Sequence, residues 1–170
     1  MDLKILESHP RLLMEVDLQP VQGSRFQPTG FADLGAAEYT LPDNSSTVLV
    51  ESAQSVANRL EAAIWDEAHQ DVVGPLKGLP FVKTTTQAGH ETNSLLEAHR
   101  VNSPYFPSSF AESIAQQCNY KEKSPVDLRA FAQTLFRYDP NCLLHGVFMS
   151  NLKDGRLRLA RLLSGFIEAK

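Results

Sequence analysis

Cysteine is scarce in this 170-residue sequence: Cys118 and Cys142 stand far apart and form no CxxC. That excludes a disulfide-framed scaffold and suits two buried free thiols in a reducing cytoplasm. No apolar run approaches the ~18 residues that a membrane span needs. The start, Met1-Asp2-Leu3-Lys4, lacks the basic-then-apolar pattern of a secretory signal. The histidines, His9, His69, His90, His99 and His145, form no HxH, HExxH or Cys/His cluster, so zinc catalysis has little support. There is no nucleophile-elbow GxSxG and no Walker-type phosphate loop. Internal repeats and low-complexity tracts are absent too.

What is present is ordinary in bulk. Hydrophobic residues make up 42% and charged residues 21%, as in a soluble globular protein. The length fits one domain, residues 1–170, with a proper core. The net charge of −4 argues against a generally basic nucleic-acid binder. That average hides an asymmetry. Residues 1–75 carry 4 Lys/Arg against 12 Asp/Glu, a net −8, and residues 76–170 carry 12 against 8, a net +4. Such a dipolar chain suits head-to-tail packing of copies, or an anionic ligand on one side.

The stretch from Gln19 to Phe31 stands apart. It holds no acid, one Arg, Ser24, Thr29 and the two glycines Gly23 and Gly30, bracketed by Pro20 and Pro28. Glycine lets the backbone turn where a side chain would clash, and proline stiffens the flanks. Exposed N–H groups, Gln and Ser donors and one guanidinium make a good surface for phosphate or sugar oxygens. The bland alternative is a polar surface loop.

Read in order, Arg11–Gln19 alternates, with Leu12, Met14, Val16 and Leu18 on one side, which predicts a half-buried strand. The Tyr39 run and Thr47–Val50 predict a hairpin across the turn Pro42–Ser46. Ser52 opens a helix with Val56, Leu60 and Ile64 on one stripe and Gln54, Asn58, Arg59 and Glu61 on its polar side, ending near His69. Phe81–Thr86 is β-prone, and Gln87–His90 is a loop. Asn93 or Ser94 caps a short helix, Leu95–His99. Phe110–Gln117 is helical. Ser124-Pro125 starts another helix, with Leu128, Phe131, Leu135 and Phe136 as its stripe, and Asp139-Pro140 ends it. Leu143–Ser150 predicts a strand, Lys153–Arg156 a hairpin turn, and Arg156–Leu159 the returning strand. This order implies an α+β fold: an antiparallel sheet with helices on one face, most economically a ferredoxin-like core with inserted loops.

Several of these stretches together carry a resemblance. They are Pro20–Phe31 with Asp33-Leu34-Gly35-Ala36-Ala37, Val50–Ser55 with Ala57–Glu61, and Leu96–Arg100 with Asn102–Tyr105. Asp139-Pro140-Asn141 with Leu144–Phe148, and Arg156–Leu159, complete the set. The chain resembles the CRISPR-associated RAMP proteins of the type I-U (also called I-G) system, first described as a GSU-type family. The resemblance implies a modified RRM-like palm with inserted subdomains. It also implies a non-catalytic Cas-seven-type backbone subunit of the Cascade interference complex, without a cofactor. Its expected partners are guide RNA, target DNA through the guide, copies of itself stacked as a helical filament, and other subunits of the complex, with no membrane. Family members run beyond residue 170, so the resemblance further implies an N-terminal portion.

A backbone subunit holds RNA of any sequence, so it contacts phosphates and 2′-hydroxyls rather than base edges. Gln22, Gly23, Ser24, Arg25 and Gln27 suit that task, and Phe26 suits stacking on a base or plugging a small local core. Asn58 and Arg59 are candidates for RNA or a neighbouring copy, against a solvated face paired to Glu61 or Glu51. Arg100 and Asn102 are candidates for a phosphate, against a surface pair with Glu97. One enzymatic alternative is a metal-dependent ribonuclease using Asp33, as in related type III backbone subunits. Another reading is a protein-interaction module without RNA contact.

Overall fold

The computed structural model describes residues 3–152 and 155–170. A 3-10 turn, Leu3–Glu7, leads into residues 8–29, which run without regular secondary structure. The expected strand at Arg11–Gln19 is absent. Leu13, Met14, Val16 and Leu18 stand 86%, 66%, 74% and 66% exposed. Period-two apolarity makes a strand only where a sheet edge accepts its hydrogen bonds, and no described strand pairs with this segment.

The regular elements begin with the ribbon β1 (Gly30–Phe31) and β2 (Gly35–Ala36). Then β3 (Glu38–Thr40) pairs antiparallel with β4 (Ser46–Glu51), with Tyr39 opposite Thr47, as the hairpin reading expects. Helix α1 (Ala53–Ile64) starts where the sequence says: the Ser52 hydroxyl accepts from the Ser55 N–H at 3.3 Å. It stops at Ile64 rather than near His69. The chain turns back there as a second ribbon, β5 (Trp65–Asp66) with β6 (Asp71–Val72). The β-prone run supplies β7 (Lys83–Thr85), paired with β8 (Glu91–Asn93) across the Gln87–His90 loop.

Two helix expectations need correction. Residues 95–99 form turns, not a helix, before a 3-10 turn at Arg100–Asn102. Asn93 does cap them, accepting from the Leu95 and Leu96 N–H groups at 3.0 and 3.2 Å, but Pro104 closes the segment before a helix can propagate. Helix α2 (Ser108–Gln117) matches its reading, and α3 (Leu128–Tyr138) begins three residues after Pro125. The Asp127 carboxylate takes the Ala130 N–H at 2.9 Å and so wins the N-cap over Ser124. Phe131 and Leu135 are fully buried, whereas Leu128 and Phe136 stay exposed.

The expected strand over Leu143–Ser150 is corrected as well. Its first part belongs to α4 (Asn141–His145), because the buried Asp139 carboxylate accepts from the Asn141 N–H and starts a helical turn. Only β9 (Val147–Phe148) is strand, and it pairs with β10 (Arg158–Leu159) as the hairpin reading requires. Lys153 and Asp154 of the expected turn lie outside the described residues. The last strand, β11 (Ile167–Ala169), adds to the free edge of β4, giving the order β11-β4-β3.

The fold is α+β, with its antiparallel pairing divided among small sheets beside the helices. Its core sits late in the chain. Val101, Ile114, Cys118, Phe131, Leu135, Cys142, Met149 and Leu157 close around one another. Cys118 and Cys142 are buried free thiols, as the sequence reading expects. By contrast, no described side chain before Thr47 is buried. Among the described residues no helix is long and apolar enough to cross a membrane.

Candidate nucleic-acid interface

The loop from Pro20 to Thr29 is tied down at one end. Thr29 donates its N–H to the Leu49 carbonyl at 2.9 Å and its hydroxyl to the Val50 carbonyl at 3.1 Å, which fastens the loop to β4. Upstream of that anchor, Gln22, Gly23, Ser24, Arg25, Phe26 and Gln27 are all exposed. Gly23 takes a φ of +64°, the left-handed region where glycine carries no penalty. Phe26 is 57% exposed and plugs no local core. Arg25 has no hydrogen-bond or ion-pair partner among the described residues. Asp33 sits exposed in the turn between β1 and β2.

On α1, the Arg59 guanidinium reaches Glu51 at 2.6 and 2.9 Å while staying largely exposed. Asn58 accepts from Gln54 at 3.0 Å, one helical turn away. These two candidates therefore face solvent with partners on their own side of the protein.

Arg100 does not lie on the surface beside Glu97. It is 4% exposed and grips Glu61 with two parallel hydrogen bonds, Nε to Oε1 at 2.6 Å and Nη2 to Oε2 at 2.9 Å. Its Nη1 donates to the Gly146 carbonyl at 3.3 Å. Glu97 instead accepts from Thr92 and Ser103. The inward turn of Glu61 also rotates α1 away from its expected stripe, so Ala57 and Glu61 are buried while Leu60 is 40% exposed. Burial pushes the Glu61 carboxyl up to about 7, against the hydrogen bonds and charge of Arg100. Asn102 is buried too and donates to the Ser150 hydroxyl at 2.8 Å.

These placements frame a cavity of about 520 Å³ between the start of α1, the Arg100 turn and the β9–β10 ribbon. Gln54, Arg100, His145, Arg158 and Arg161 line it, and no Asp or Glu does so among the described residues. The backbone brings its walls together at Gly146, whose φ is +77°. A Cβ there would meet the Leu159 carbonyl oxygen at 2.9 Å and the Arg161 nitrogen at 3.2 Å. His145 is 3% exposed, and its Nδ1 is buried without a hydrogen-bond partner. The Arg161 Nε is likewise buried and unpartnered, although its Nη2 donates to Gln54. Burial and the Arg100 and Arg161 charges push His145 down to about 4, so the ring is neutral at pH 7.

The sequence marks only parts of this cavity. Arg156-Leu157-Arg158-Leu159 shows an alternating basic face, and His145 stands out as a histidine beside a glycine. Nothing local joins them to Gln54, which comes from a helix about 90 residues earlier in the chain. Among the described residues no three His, Cys, Asp or Glu side chains come together as a metal site.

The family model described as CRISPR-associated protein GSU0053 matches residues 12–170 of the chain. No curated protein matches it.

Proposed function

The chain belongs to the CRISPR-associated GSU0053 family, and from that premise we propose that it is a non-catalytic, guide-RNA-binding backbone subunit of a type I-U/I-G interference complex. Membership supports a role in CRISPR defence. The observation that carries the finer reading is Arg25: a guanidinium without a partner among the described residues, in an exposed glycine loop that contains no acid. In water such a group is free to grip phosphate oxygens through two hydrogen bonds. Gly23 and Ser24 bring backbone and hydroxyl donors beside it, and the exposed ring of Phe26 offers a stacking face that tolerates any base. In this reading Gln22 and Gln27 reach 2′-hydroxyls. Other subunits and copies of the chain complete the path of the RNA, and target DNA pairs with the guide.

The test is a set of binding titrations with unrelated single-stranded RNAs of equal length, with magnesium or manganese present. The reading expects similar affinity for each sequence and intact RNA at the end. Strong preference for one sequence would point to base-edge readout. Cleavage that Asp33→Ala abolishes would replace this reading with a metal-dependent ribonuclease.

A further inference from the structure

The cavity beside Gly146 has a property the exposed loop lacks: it is built and it is electrically unbalanced. Its frame is backbone. The Leu162 and Leu163 N–H groups donate to the Leu144 carbonyl at 3.0 and 2.9 Å, and β9 pairs with β10. This stapling holds His145 on one wall and Arg161 on the other. Both oxygens of Glu61 are taken by Arg100, so this acid is not available to the other cations of the cavity. Arg158 and Arg161 remain without a lining acid among the described residues. A buried donor without a partner costs the desolvation of that group, more so for a charged one. Two residues that line this recess each carry a buried nitrogen without a partner, His145 at Nδ1 and Arg161 at Nε. A neutral imidazole can carry its proton on Nδ1 and donate it, and a guanidinium only donates.

We propose that this cavity binds a phosphate group, with His145 Nδ1–H and the Arg161 guanidinium as its inner donors and Arg158 as the cation at its mouth. Cationic and neutral donors gathered in a recess that no carboxylate lines among the described residues favour an anion. A phosphate presents several acceptor oxygens to them at once. The volume of about 520 Å³ is far larger than one phosphate needs, so the group arrives attached to something, such as a sugar. The half-exposed ring of Phe148 on the cavity wall offers that attachment an apolar face. Two sources share this chemistry: a phosphodiester within a nucleic acid, and a free nucleotide. The inference goes beyond the guide-RNA reading, because the cavity shares no residue with the Pro20–Thr29 loop.

The experiment is calorimetric titration of the full chain with inorganic phosphate, with adenosine monophosphate and with a short single-stranded RNA. The proteins are wild type, Arg161→Gln, Arg158→Gln and, as a charge-matched control, Arg129→Gln on the exposed face of α3. Thermal melts establish that each is folded. Phosphate and nucleotide binding to wild type, weakened roughly tenfold or more by Arg161→Gln and unchanged by Arg129→Gln, is the expected result. The His145 ring resonance shifts as phosphate is added. RNA affinity that also falls with Arg161→Gln identifies the phosphodiester source, and nucleotide binding alone identifies the free one. If Arg161→Gln does not fold, Arg158→Gln and the His145 resonance decide. Folded protein whose phosphate, nucleotide and RNA affinities ignore both substitutions, or whose His145 signal does not respond, overturns the proposal. Because inorganic phosphate is tested by itself, failure of RNA binding would sink the guide-RNA reading without deciding this one.

Discussion

Arg25 carries the only charge between Asp17 and Asp33, and its guanidinium has no partner among the described residues. Its removal therefore disturbs little of the fold. Arg25→Ala is expected to weaken RNA binding by about 1–3 kcal/mol per copy, equally for unrelated sequences. The salt dependence should become shallower by about one ion. Titrations at two salt concentrations beside a thermal melt check this. Unchanged affinity with a lowered melting temperature would instead make Arg25 a structural residue. His145 is the opposite case, buried and held neutral by its surroundings. Its folded pKa of about 4 lies below the ordinary histidine value of 6.5. Protonation then favours the unfolded chain, and the His145 contribution to stability is lost as pH falls from about 6.5 through 4. Glu61, raised above its ordinary value, has the opposite slope between 4.5 and about 7. Following each histidine ring by NMR separates the two effects. The His145 ring should titrate at about 4; titration of that ring near the ordinary 6.5 would contradict the packing around it.

At the scale of elements, the Glu61–Arg100 pair is the pin that joins α1 to the 3-10 turn at Arg100–Asn102, and through the Gly146 carbonyl to β9. Deleting one partner strands a buried charge. Glu61→Ala is expected to cost about 3–5 kcal/mol in chemical denaturation, and replacing both residues by Met should recover much of that loss. A cost within about 0.5 kcal/mol would mean that the pair is open to solvent. This pin also shows where sequence reading reaches its limit. Ser52 was legible as a cap because its partner, Ser55, is three residues away. The β3–β4 and β9–β10 hairpins were legible because their turns are local. Glu61 read as a polar-face residue because Arg100, 39 residues on, supplies the charge that brings it inside. Alternation at Arg11–Gln19 reads as a strand, but no strand forms there, because pairing is not a local property. That Pro20–Thr29 is an exposed loop could be read from composition alone. The His145 cavity could not, since its walls come from segments tens of residues apart.

The whole molecule exposes 12536 Å². A compact monomer of 18.9 kDa would expose about 8300 Å². No described side chain before Thr47 is buried, and Leu13, Met14, Val16, Leu18 and Val21 are all more than half exposed. Exposed apolar surface on that scale fits contact with other chains. The net −8 of residues 1–75 and +4 of residues 76–170 favour contacts between unlike ends of successive copies. On the proposed backbone-subunit reading, both features act together with RNA. Native mass measurement of the full chain with guide-like RNAs of increasing length tests this most directly. The number of copies per RNA is expected to rise stepwise with length. One copy at every length, or particles without RNA, would contradict it.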